Sequence, residues 1–391
     1  MCRYKINPYL KQVPDWSGKA FSFLKNDDMF DFHRSLEGYA PTPLVELKKT
    51  AAELGLANIF IKDEGKRFGI KAFKALGASY AIYRFLKSRW EDRFDEKFDV
   101  SSFSNPEMLK KLGSFCFCAA TDGNHGRAVA WTARKLQQKA VIYMPGDTVE
   151  ARIKNIQSEG AEVVIIDGTY DDCVQQAAQD AKENGWFEIA DTAYEGYTTI
   201  PSWVLNGYST IFRELEDSLN LKPKPQIDIV VLQAGVGAFA AAGASYYTQR
   251  YGADRPKVIC LEPLEAAGFL DSIEFGQGHP IAAKGKMETL MNGLNCGIPS
   301  LAAWPILKDA VEIFLGISDN YAESAMQKLA GEGVVSGESG ASGLAGLLAL
   351  MTDPKLVDAK TAMGVNTDTR VLLISTEADT DPETYNRIVS K

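Results

Sequence analysis

The amino-acid sequence predicts an α/β fold with two open, twisted, mostly parallel sheets that are flanked by helices. Strand-like and helix-like stretches alternate over most of the 391 residues, a pattern typical of parallel sheets wrapped by helices. The apolar runs at 163–166 and 229–232 are rich in β-branched residues, as in strands covered on both faces. Polar breaks at 91–111 and 221–225 divide the alternation.

Short apolar runs that end at turn-forming residues indicate the strands, and longer stretches with an apolar stripe, such as 124–137, indicate helices. The sequence predicts strands at residues 58–63, 114–121, 140–145, 161–167, 186–191, 228–233, 257–262, 311–317 and 370–376. It predicts helices at residues 124–137, 149–158, 170–183 and 201–219. We expect Cys116 and Cys118, two apart in one strand, to point to one face as small core residues.

The two polar breaks also suggest domain boundaries. Four strand–helix repeats lie between them, which is enough for a small domain at residues 89–211. The two ends of the chain, residues 1–88 and 212–391, would then form a larger domain.

Composition limits the classes of function. The net charge of −9 argues against binding to nucleic acid or to an anionic membrane surface. No apolar run approaches the ~20 residues that span a bilayer, and the first residues are not followed by the apolar segment of a signal peptide. Six cysteines in so long a chain do not form a disulfide framework, so we expect a cytoplasmic setting. Three histidines are too few for a histidine-rich zinc site, and no metal is predicted.

The stretch 62–78 carries a lysine suited to covalent cofactor binding. A short strand ends at Asp63, a glycine-bearing loop follows, and Lys74 stands near the start of a helix. A lysine held in this way can form a Schiff base with an aldehyde cofactor such as pyridoxal phosphate. Five cations between Lys62 and Lys74 would also fit a solvated basic loop without chemistry.

The strand at 228–233 runs into a glycine-rich turn before a helix. Glycines let the backbone approach an anion, and a helix N-terminus offers N–H groups and a favourable dipole, so a phosphate would fit. The same residues match the dinucleotide pattern G-x-G-x-x-A, and Glu262 ends the next strand, where a ribose-binding acid would lie. A nicotinamide-binding domain and a purely structural turn are therefore alternatives.

Two further turns bring polar side chains to strand ends. The turn at 121–126 could bind a carboxylate through its N–H groups, while Asp122 offers a base and Asn124 an amide for a phenolic oxygen. Simple capping of the following helix by Asp122 or Asn124 is the alternative. Asp191 could meet an amino group of a substrate, or it could belong to an ordinary polar loop.

Small and hydroxyl-bearing residues cluster near the C-terminus. The Ser/Gly-rich stretch at 336–343 precedes an apolar helix and is either a second anion-facing loop or a site of close helix packing. A hydroxyl of Ser375 or Thr376 could hydrogen-bond a pyridine nitrogen, unless the two residues only form a turn at a strand end.

In this order, the motifs resemble those of the fold-type II pyridoxal-phosphate enzymes, the family of the tryptophan synthase β subunit and threonine dehydratase. The ordered motifs are Pro-Thr-Pro-Leu at 41–44, Lys74, the turn at 123–126, the glycine loop at 235–237 and a C-terminal hydroxyl. Within this family the chain looks most like the diaminopropionate ammonia-lyases, from about Gly38 onward. The resemblance implies a homodimeric lyase that uses pyridoxal phosphate to eliminate ammonia from D- or L-2,3-diaminopropionate, giving pyruvate and two ammonia molecules.

The resemblance also implies a role for each motif. Lys74 would form the Schiff base, Asn124 would contact the phenolic oxygen, and Thr376 or Ser375 would meet the ring nitrogen. In the large domain, the cofactor phosphate would be bound by the backbone N–H groups of Gly235, Val236, Gly237 and Ala238. In the small domain, the substrate carboxylate would be bound by the turn of Asp122, Gly123, Asn124 and His125.

Three side chains receive acid–base roles from the resemblance. Asp122 would remove the α-proton of the D-isomer, and Lys74 that of the L-isomer. Asp191 would bind the second amino group of the substrate. Because ammonia leaves poorly unless its nitrogen is protonated, Asp122 and Asp191 are the candidates for holding the β-ammonium.

The sequence departs from the family pattern at two positions. Lys71 stands where a small polar residue is expected, three positions before Lys74. The spacing places both lysines on one helical face, so their charges should repel. The repulsion would help to deprotonate Lys74, but it also makes Lys71 a rival for the Schiff base. Ala378 replaces the glycine of a Thr-Glu-Gly-Asp pattern, and its methyl group is expected near the cofactor ring.

Other functions stay open from the sequence. A serine/threonine dehydratase or a β-replacing synthase would use the same cofactor, although Asp122 argues against both. A nicotinamide-dependent oxidoreductase would use the glycine loop and Glu262. A non-catalytic relative would not need Lys74.

Overall fold

The computed structural model describes residues 1–121, 123–219 and 226–391, and the chain divides into two compact units. Unit 1 comprises Met1–Lys25, Pro41–Ala72 and Ile211–Lys391. Unit 2 comprises Asn26–Ala40 and Phe73–Thr210. The linker predicted at 221–225 lies outside the described residues, and the domain boundaries at 88/89 and 211/212 remain a prediction.

Strands and helices alternate along the chain. The strands are β1 (Cys2–Ile6), β2 (Leu44–Glu46), β3 (Asn58–Asp63), β4 (Cys116–Ala120), β5 (Lys139–Pro145), β6 (Glu162–Ile166), β7 (Phe187–Glu188), β8 (Ile229–Gln233), β9 (Lys257–Pro263), β10 (Ile313–Ile317) and β11 (Arg370–Ser375). The helices are α1 (Met29–Ser35), α2 (Lys48–Leu54), α3 (Lys74–Phe94), α4 (Pro106–Leu112), α5 (Asn124–Lys135), α6 (Glu150–Gln157), α7 (Tyr170–Asn184), α8 (Thr199–Gly207), α9 (Ser209–Ser218), α10 (Ala238–Tyr251), α11 (Gly268–Phe275), α12 (Trp304–Ala310), α13 (Asp319–Gly331), α14 (Ser342–Thr352), α15 (Val357–Met363) and α16 (Pro382–Val389).

Unit 1 is built on a seven-stranded sheet in the order β1-β10-β9-β8-β11-β3-β2. The five central strands are parallel, and β1 and β2 pair antiparallel at the two edges. Strand β8 is buried along its whole length, as predicted for 229–232, and so is β10. The same prediction is wrong for 163–166, because β6 is an edge strand of the other sheet and its Ile165 is 47% exposed. The two edge strands of unit 1 escaped prediction because one is short and the other mixes charged with apolar residues.

Unit 2 contains a parallel four-stranded sheet in the order β6-β5-β4-β7. Cys118 is buried in its core, and Cys116 is half-buried and packs against the same cluster, as predicted for two residues on one face. Both sheets confirm the predicted α/β class. The turn at 123–126 and Asp191 follow β4 and β7 in unit 2, and the glycine loop and Thr376 follow β8 and β11 in unit 1. These are carboxyl ends of parallel strands, where α/β proteins bind ligands. No helix in the described ranges is long and apolar enough to cross a membrane.

Two elements differ from their predictions. Only Phe187–Glu188 pairs within the strand predicted at 186–191. The helix predicted at 201–219 is broken at Tyr208 into α8 and α9. A close approach explains why α8 ends in glycine, because a Cβ on Gly207 would lie 2.5 Å from the carbonyl oxygen of Leu76 on α3.

Candidate active site

The centre of the candidate site in unit 2 is an ion pair between Lys74 and Asp191. Lys74 is the first residue of α3, as the sequence predicts, and its Nζ lies 2.6 Å from Oδ2 of Asp191. Asp191 follows β7 and is nearly buried, while Lys74 is 18% exposed. The ammonium of Lys74 also lies 5.4 Å from the centre of the Phe73 ring. A basic nitrogen and a buried carboxylate are thus held in direct contact.

The carboxyl group of Asp191 is held in its ionised form. Burial alone would raise its pKa, but the charges of Lys74 and His125 and the hydrogen bond from Lys74 outweigh burial. The pKa of Asp191 is therefore lowered to about 2. The side chain presents a permanent negative charge at neutral pH, suited to binding an ammonium group.

His125 flanks the same carboxylate from the predicted carboxylate-binding turn. Its Nδ1 lies 3.9 Å from Oδ2 of Asp191, and its Nε2 lies 2.6 Å from the carbonyl oxygen of Ile189. Because a carbonyl oxygen can only accept, Nε2 carries a hydrogen and donates it. This bond fixes the ring so that Nδ1 faces Asp191.

The turn between β4 and α5 is shaped by Thr121. The Oγ1 of Thr121 accepts from the backbone N–H groups of Gly123 and Gly126, at 2.9 and 3.1 Å. Thr121 therefore satisfies the N–H groups of Gly123 and Gly126, whereas the capping alternative gave this role to Asn124. Asn124 is half-buried and begins α5, whose first turn carries no acidic side chain. Asp122, predicted as a base and as part of this turn, lies outside the described residues.

The glycine loop of unit 1 leads from β8 into α10, as predicted. Gly237 has a φ of +92° and precedes Ala238, the first residue of the helix. A Cβ on Gly237 would lie 2.7 Å from Cε2 of Phe269, and nearer still to its Cζ. A Cβ on Gly235 would lie 3.2 Å from Sγ of Cys296. Gly237 therefore has no room for a side chain and Gly235 has little. The first turn of α10 carries no acid that would repel an anion.

Glu262 is not available to bind a ribose. Its side chain is completely buried at the end of β9. It accepts hydrogen bonds from the backbone N–H groups of Phe269 and Leu270, both at 2.8 Å, at the start of α11. The dinucleotide interpretation of the glycine loop needs this acid on a cofactor hydroxyl, so the structure contradicts it.

The two candidate hydroxyls at the end of β11 are buried and hydrogen-bonded. The Oγ1 of Thr376 accepts from Nε2 of Gln233, the last residue of β8, at 3.2 Å. The Oγ of Ser375 donates to Oγ of Ser336 at 2.7 Å. A Cβ on Gly340 would lie 2.7 Å from Oγ of Ser336 and closer still to a backbone oxygen. The Ser/Gly-rich stretch therefore packs tightly on this strand end.

The expectation that Lys71 shares a helical face with Lys74 is wrong, whereas a place for the Ala378 methyl near the cofactor ring stays a prediction. Lys71 precedes α3, has a φ of +62°, and donates from its Nζ to Oδ1 of Asp379 at 2.9 Å. It does not share a helical face with Lys74, because the helix begins only at Lys74. Ala378 donates its N–H to the Lys71 carbonyl at 2.9 Å, and its methyl faces Gly65. The methyl therefore packs against backbone in the turn before Lys71.

A buried ionic network that sequence reasoning missed lies beside that turn and is formed by Lys62, Glu64, Arg67 and Glu214. These four side chains are at most 1% exposed. Glu214 accepts from Lys62 Nζ at 2.6 Å and from Arg67 Nη1 at 2.8 Å, and Glu64 accepts from Arg67 Nε at 2.8 Å. Burial raises the pKa of Glu214, but Arg67 and Lys62 outweigh burial and lower it. Lys62 and Arg67, two of the five cations, are thus not part of a solvated basic loop.

Comparisons with known proteins identify the family of the chain. A family model described as "Pyridoxal-phosphate dependent enzyme" matches residues 36–368. The chain is 37% identical to the diaminopropionate ammonia-lyase of Salmonella typhimurium, over 100% of this chain and 98% of that protein. It is 38% identical to the enzyme of the same name from Escherichia coli K12, over 92% of this chain and 89% of that protein.

Solved structures show the same likeness. The crystal structure of diaminopropionate ammonia lyase from Escherichia coli, in complex with an aminoacrylate-PLP azomethine reaction intermediate, superposes with a TM-score of 0.88 at 35% identity. The match covers 100% of this chain and 97% of that one. Maize serine racemase has a TM-score of 0.72 at 20% identity, which shows a shared fold.

Proposed function

The chain belongs to the pyridoxal-phosphate-dependent enzymes and, within them, to the diaminopropionate ammonia-lyase family, and we propose that it eliminates ammonia from 2,3-diaminopropionate. The products would be pyruvate and two molecules of ammonia. The observation that carries the proposal is the contact between Lys74 and the ionised, nearly buried carboxylate of Asp191. A permanent negative charge is suited to a substrate that brings a second ammonium group.

Pyridoxal phosphate fits the residues present. Lys74 offers an amine for its aldehyde, and the side-chain-free backbone at Gly235 and Gly237 offers an anion site at the start of α10. A neutral hydroxyl of Thr376 or Ser375 suits an unprotonated ring nitrogen, which favours elimination over transamination. When bound, the cofactor withdraws electrons from the substrate α-carbon and acidifies its C–H bond.

Lys74, Asp122 and Asp191 would carry out proton transfer and bind the second amino group, and one backbone turn would bind the carboxylate. Lys74 Nζ would accept the α-proton of the L-isomer, and Asp122 that of the D-isomer. Asp191 would bind the β-ammonium group and keep its nitrogen protonated, because an amine leaves readily only as ammonia. The N–H groups of the turn at 123–126 would bind the substrate carboxylate.

Pyruvate formation by purified protein supplied with pyridoxal phosphate tests the proposal. We expect turnover of D- or L-2,3-diaminopropionate and much slower turnover of serine and threonine. Asp191→Asn should lower kcat/KM for diaminopropionate by at least about 30-fold, because a buried carboxylate partner of an ammonium is lost. The same variant should process β-chloroalanine normally, since chloride leaves without a bound ammonium.

Two lysine variants identify the cofactor lysine. Lys74→Ala should abolish pyruvate formation. Lys71→Asn is the matched control, because asparagine tolerates the left-handed backbone found there, and it should stay active. Faster turnover of serine than of diaminopropionate, with no effect of Asp191→Asn, would instead indicate a serine dehydratase.

We also propose that the enzyme is a cytoplasmic homodimer. All six cysteines lie in the described ranges and are free thiols, which supports a reducing compartment. The dimer is supported by the resemblance to fold-type II enzymes. Light scattering coupled to size-exclusion chromatography would give twice the chain mass for a dimer, and the single chain mass would contradict it.

A further inference from the structure

We propose that Tyr208 is a further substrate-binding residue, whose phenol oxygen hydrogen-bonds the β-nitrogen of the substrate alongside Asp191. This inference rests on the proposed function, because it concerns the second amino group of that substrate. It assigns a role to the residue at which α8 gives way to α9, a break that the sequence did not predict.

Packing brings the hydroxyl end of Tyr208 against α3 close to Lys74. A Cβ on Gly77 would lie 2.5 Å from Cε1 and 2.6 Å from Cζ of Tyr208. Cζ is the ring carbon that carries the hydroxyl, and Gly77 lies three residues after Lys74, on the same face of the helix. The ring centre also lies 4.6 Å from that of Phe73.

The electrostatics of Tyr208 connect it to the same ion pair. Burial raises the pKa of its hydroxyl above the usual value, the charge of Lys74 opposes that rise, and the charge of Asp191 adds to it. The phenol is therefore a neutral O–H at physiological pH. A neutral O–H can both accept and donate a hydrogen bond, whereas the carboxylate of Asp191 can only accept.

The hydroxyl of Tyr208 is buried without a partner. The residue has 0% exposure, and the hydroxyl makes no hydrogen bond within the part of the chain that the structure describes. Leaving a buried polar group unsatisfied costs about 1–3 kcal/mol, so a partner such as a ligand would stabilise it. An N–H of a substrate bound at Asp191 would satisfy this oxygen.

In the elimination step the hydroxyl of Tyr208 acts first as a hydrogen-bond acceptor and then as a donor. Before the step, the β-nitrogen is an ammonium, and the phenol oxygen accepts one of its hydrogens. As the bond between the β-carbon and nitrogen breaks, its electron pair stays on nitrogen and neutral ammonia forms. The phenol O–H can then donate to that lone pair, so one side chain stabilises the nitrogen before and after the bond breaks.

The test compares the holoenzyme variants Tyr208→Phe and Tyr247→Phe. Tyr247 is a matched control, because it is also fully buried, its hydroxyl is also unpaired among the described residues, and it lies on α10 in unit 1. Each variant removes one hydroxyl and keeps the ring. The readouts are thermal unfolding without substrate, the absorbance spectrum, and kcat/KM for 2,3-diaminopropionate and β-chloroalanine.

We expect Tyr208→Phe to leave the unfolding temperature and the spectrum unchanged, or to raise the temperature slightly. Its kcat/KM for diaminopropionate should fall by about 10- to 100-fold, as for loss of a hydrogen bond to a charged group. Its kcat/KM for β-chloroalanine should stay within about threefold, because that substrate has no β-ammonium. Tyr247→Phe should leave both substrates unaffected.

Each other result overturns the inference. Equal losses with both substrates, together with a lower unfolding temperature, would show that the hydroxyl is structural. An unchanged kcat/KM for diaminopropionate would show that Tyr208 does not bind the leaving nitrogen. If the wild-type enzyme makes no pyruvate from diaminopropionate, the proposed function itself fails, and the inference fails with it.

Discussion

Replacing Gly237 by alanine is expected to weaken the binding of pyridoxal phosphate severely. A φ of +92° costs a residue with a Cβ roughly 1–2 kcal/mol. The new methyl would also lie 2.7 Å from Cε2 of Phe269 and 3.1 Å from Cβ of Ala303, inside the ~3.5 Å of ordinary carbon contact. Overpacking of this kind adds about 1–3 kcal/mol, so the total is about 2–5 kcal/mol.

The dissociation constant of the cofactor reports how far this strain disturbs the glycine loop. We expect the dissociation constant of pyridoxal phosphate, measured by absorbance titration, to rise at least about tenfold in Gly237→Ala. Gly55→Ala is the control, because Gly55 has a φ of +65° in the same unit and its Cβ would meet nothing within 4 Å. It incurs the backbone strain without the clash, and its affinity for the cofactor should stay near that of the wild type.

Two results would refute this reasoning. A dissociation constant in Gly237→Ala within twofold of the wild-type value would mean that this loop does not bind the phosphate. An equal loss of affinity in Gly55→Ala would mean that general destabilisation, and not the shape of the loop, controls cofactor binding.

Two further predictions concern buried charges. Glu214→Gln should lower the free energy of unfolding of the cofactor-free protein by about 3–5 kcal/mol, because the buried charges of Lys62 and Arg67 lose one carboxylate partner. Urea unfolding measures this loss, and a value below about 1 kcal/mol would contradict the prediction. The pKa of Asp191 falls from 3.8 to about 2 on folding. Its carboxylate therefore stabilises the folded protein by about 2 kcal/mol above pH 4. This contribution to the free energy of unfolding is lost as the pH falls from 4 to 2. The difference in unfolding free energy between wild type and Asp191→Asn, both free of cofactor, should narrow over that range, whereas a constant difference would contradict the Lys74–Asp191 pair.

The central parallel strands were predictable because their apolar sequences alone indicate buried strands. Strand β3 has the predicted bounds, and β8, β10 and β11 differ from prediction by one or two residues at the ends. Such strands are buried on both faces, so local composition reports their environment directly. The edge strand β2 has three residues and depends on pairing with β3, which no local pattern reveals.

The locations of the candidate turns were predictable where a turn directly follows a strand end. The turn at 123–126 directly follows β4 and the glycine loop directly follows β8, so a short motif contains the whole signal. Glu214 could not be found in this way, because its partner Arg67 lies 147 positions away. Tyr208 was missed for the same reason, since only the folded packing against Gly77 brings it close to Lys74.

Lys71 shows how backbone conformation can mislead a sequence-based argument. The spacing of three residues before Lys74 suggested one helical face, but the residue is in a left-handed conformation before the helix begins. Lysine rarely adopts this conformation, and the ion pair with Asp379 accompanies it here. The types of the neighbouring residues do not reveal such a left-handed backbone, so the sequence alone did not show that Lys71 lies outside the helix.

The most direct test of the account is the absorbance spectrum of the purified protein before and after addition of D- or L-2,3-diaminopropionate, with pyruvate assayed in the same tube. The account predicts a visible band from pyridoxal phosphate bound to Lys74, a shift of that band on adding the substrate, and formation of pyruvate. A yellow protein that forms no pyruvate would contradict the proposed substrate. A protein that pyridoxal phosphate cannot turn yellow would contradict the role of Lys74.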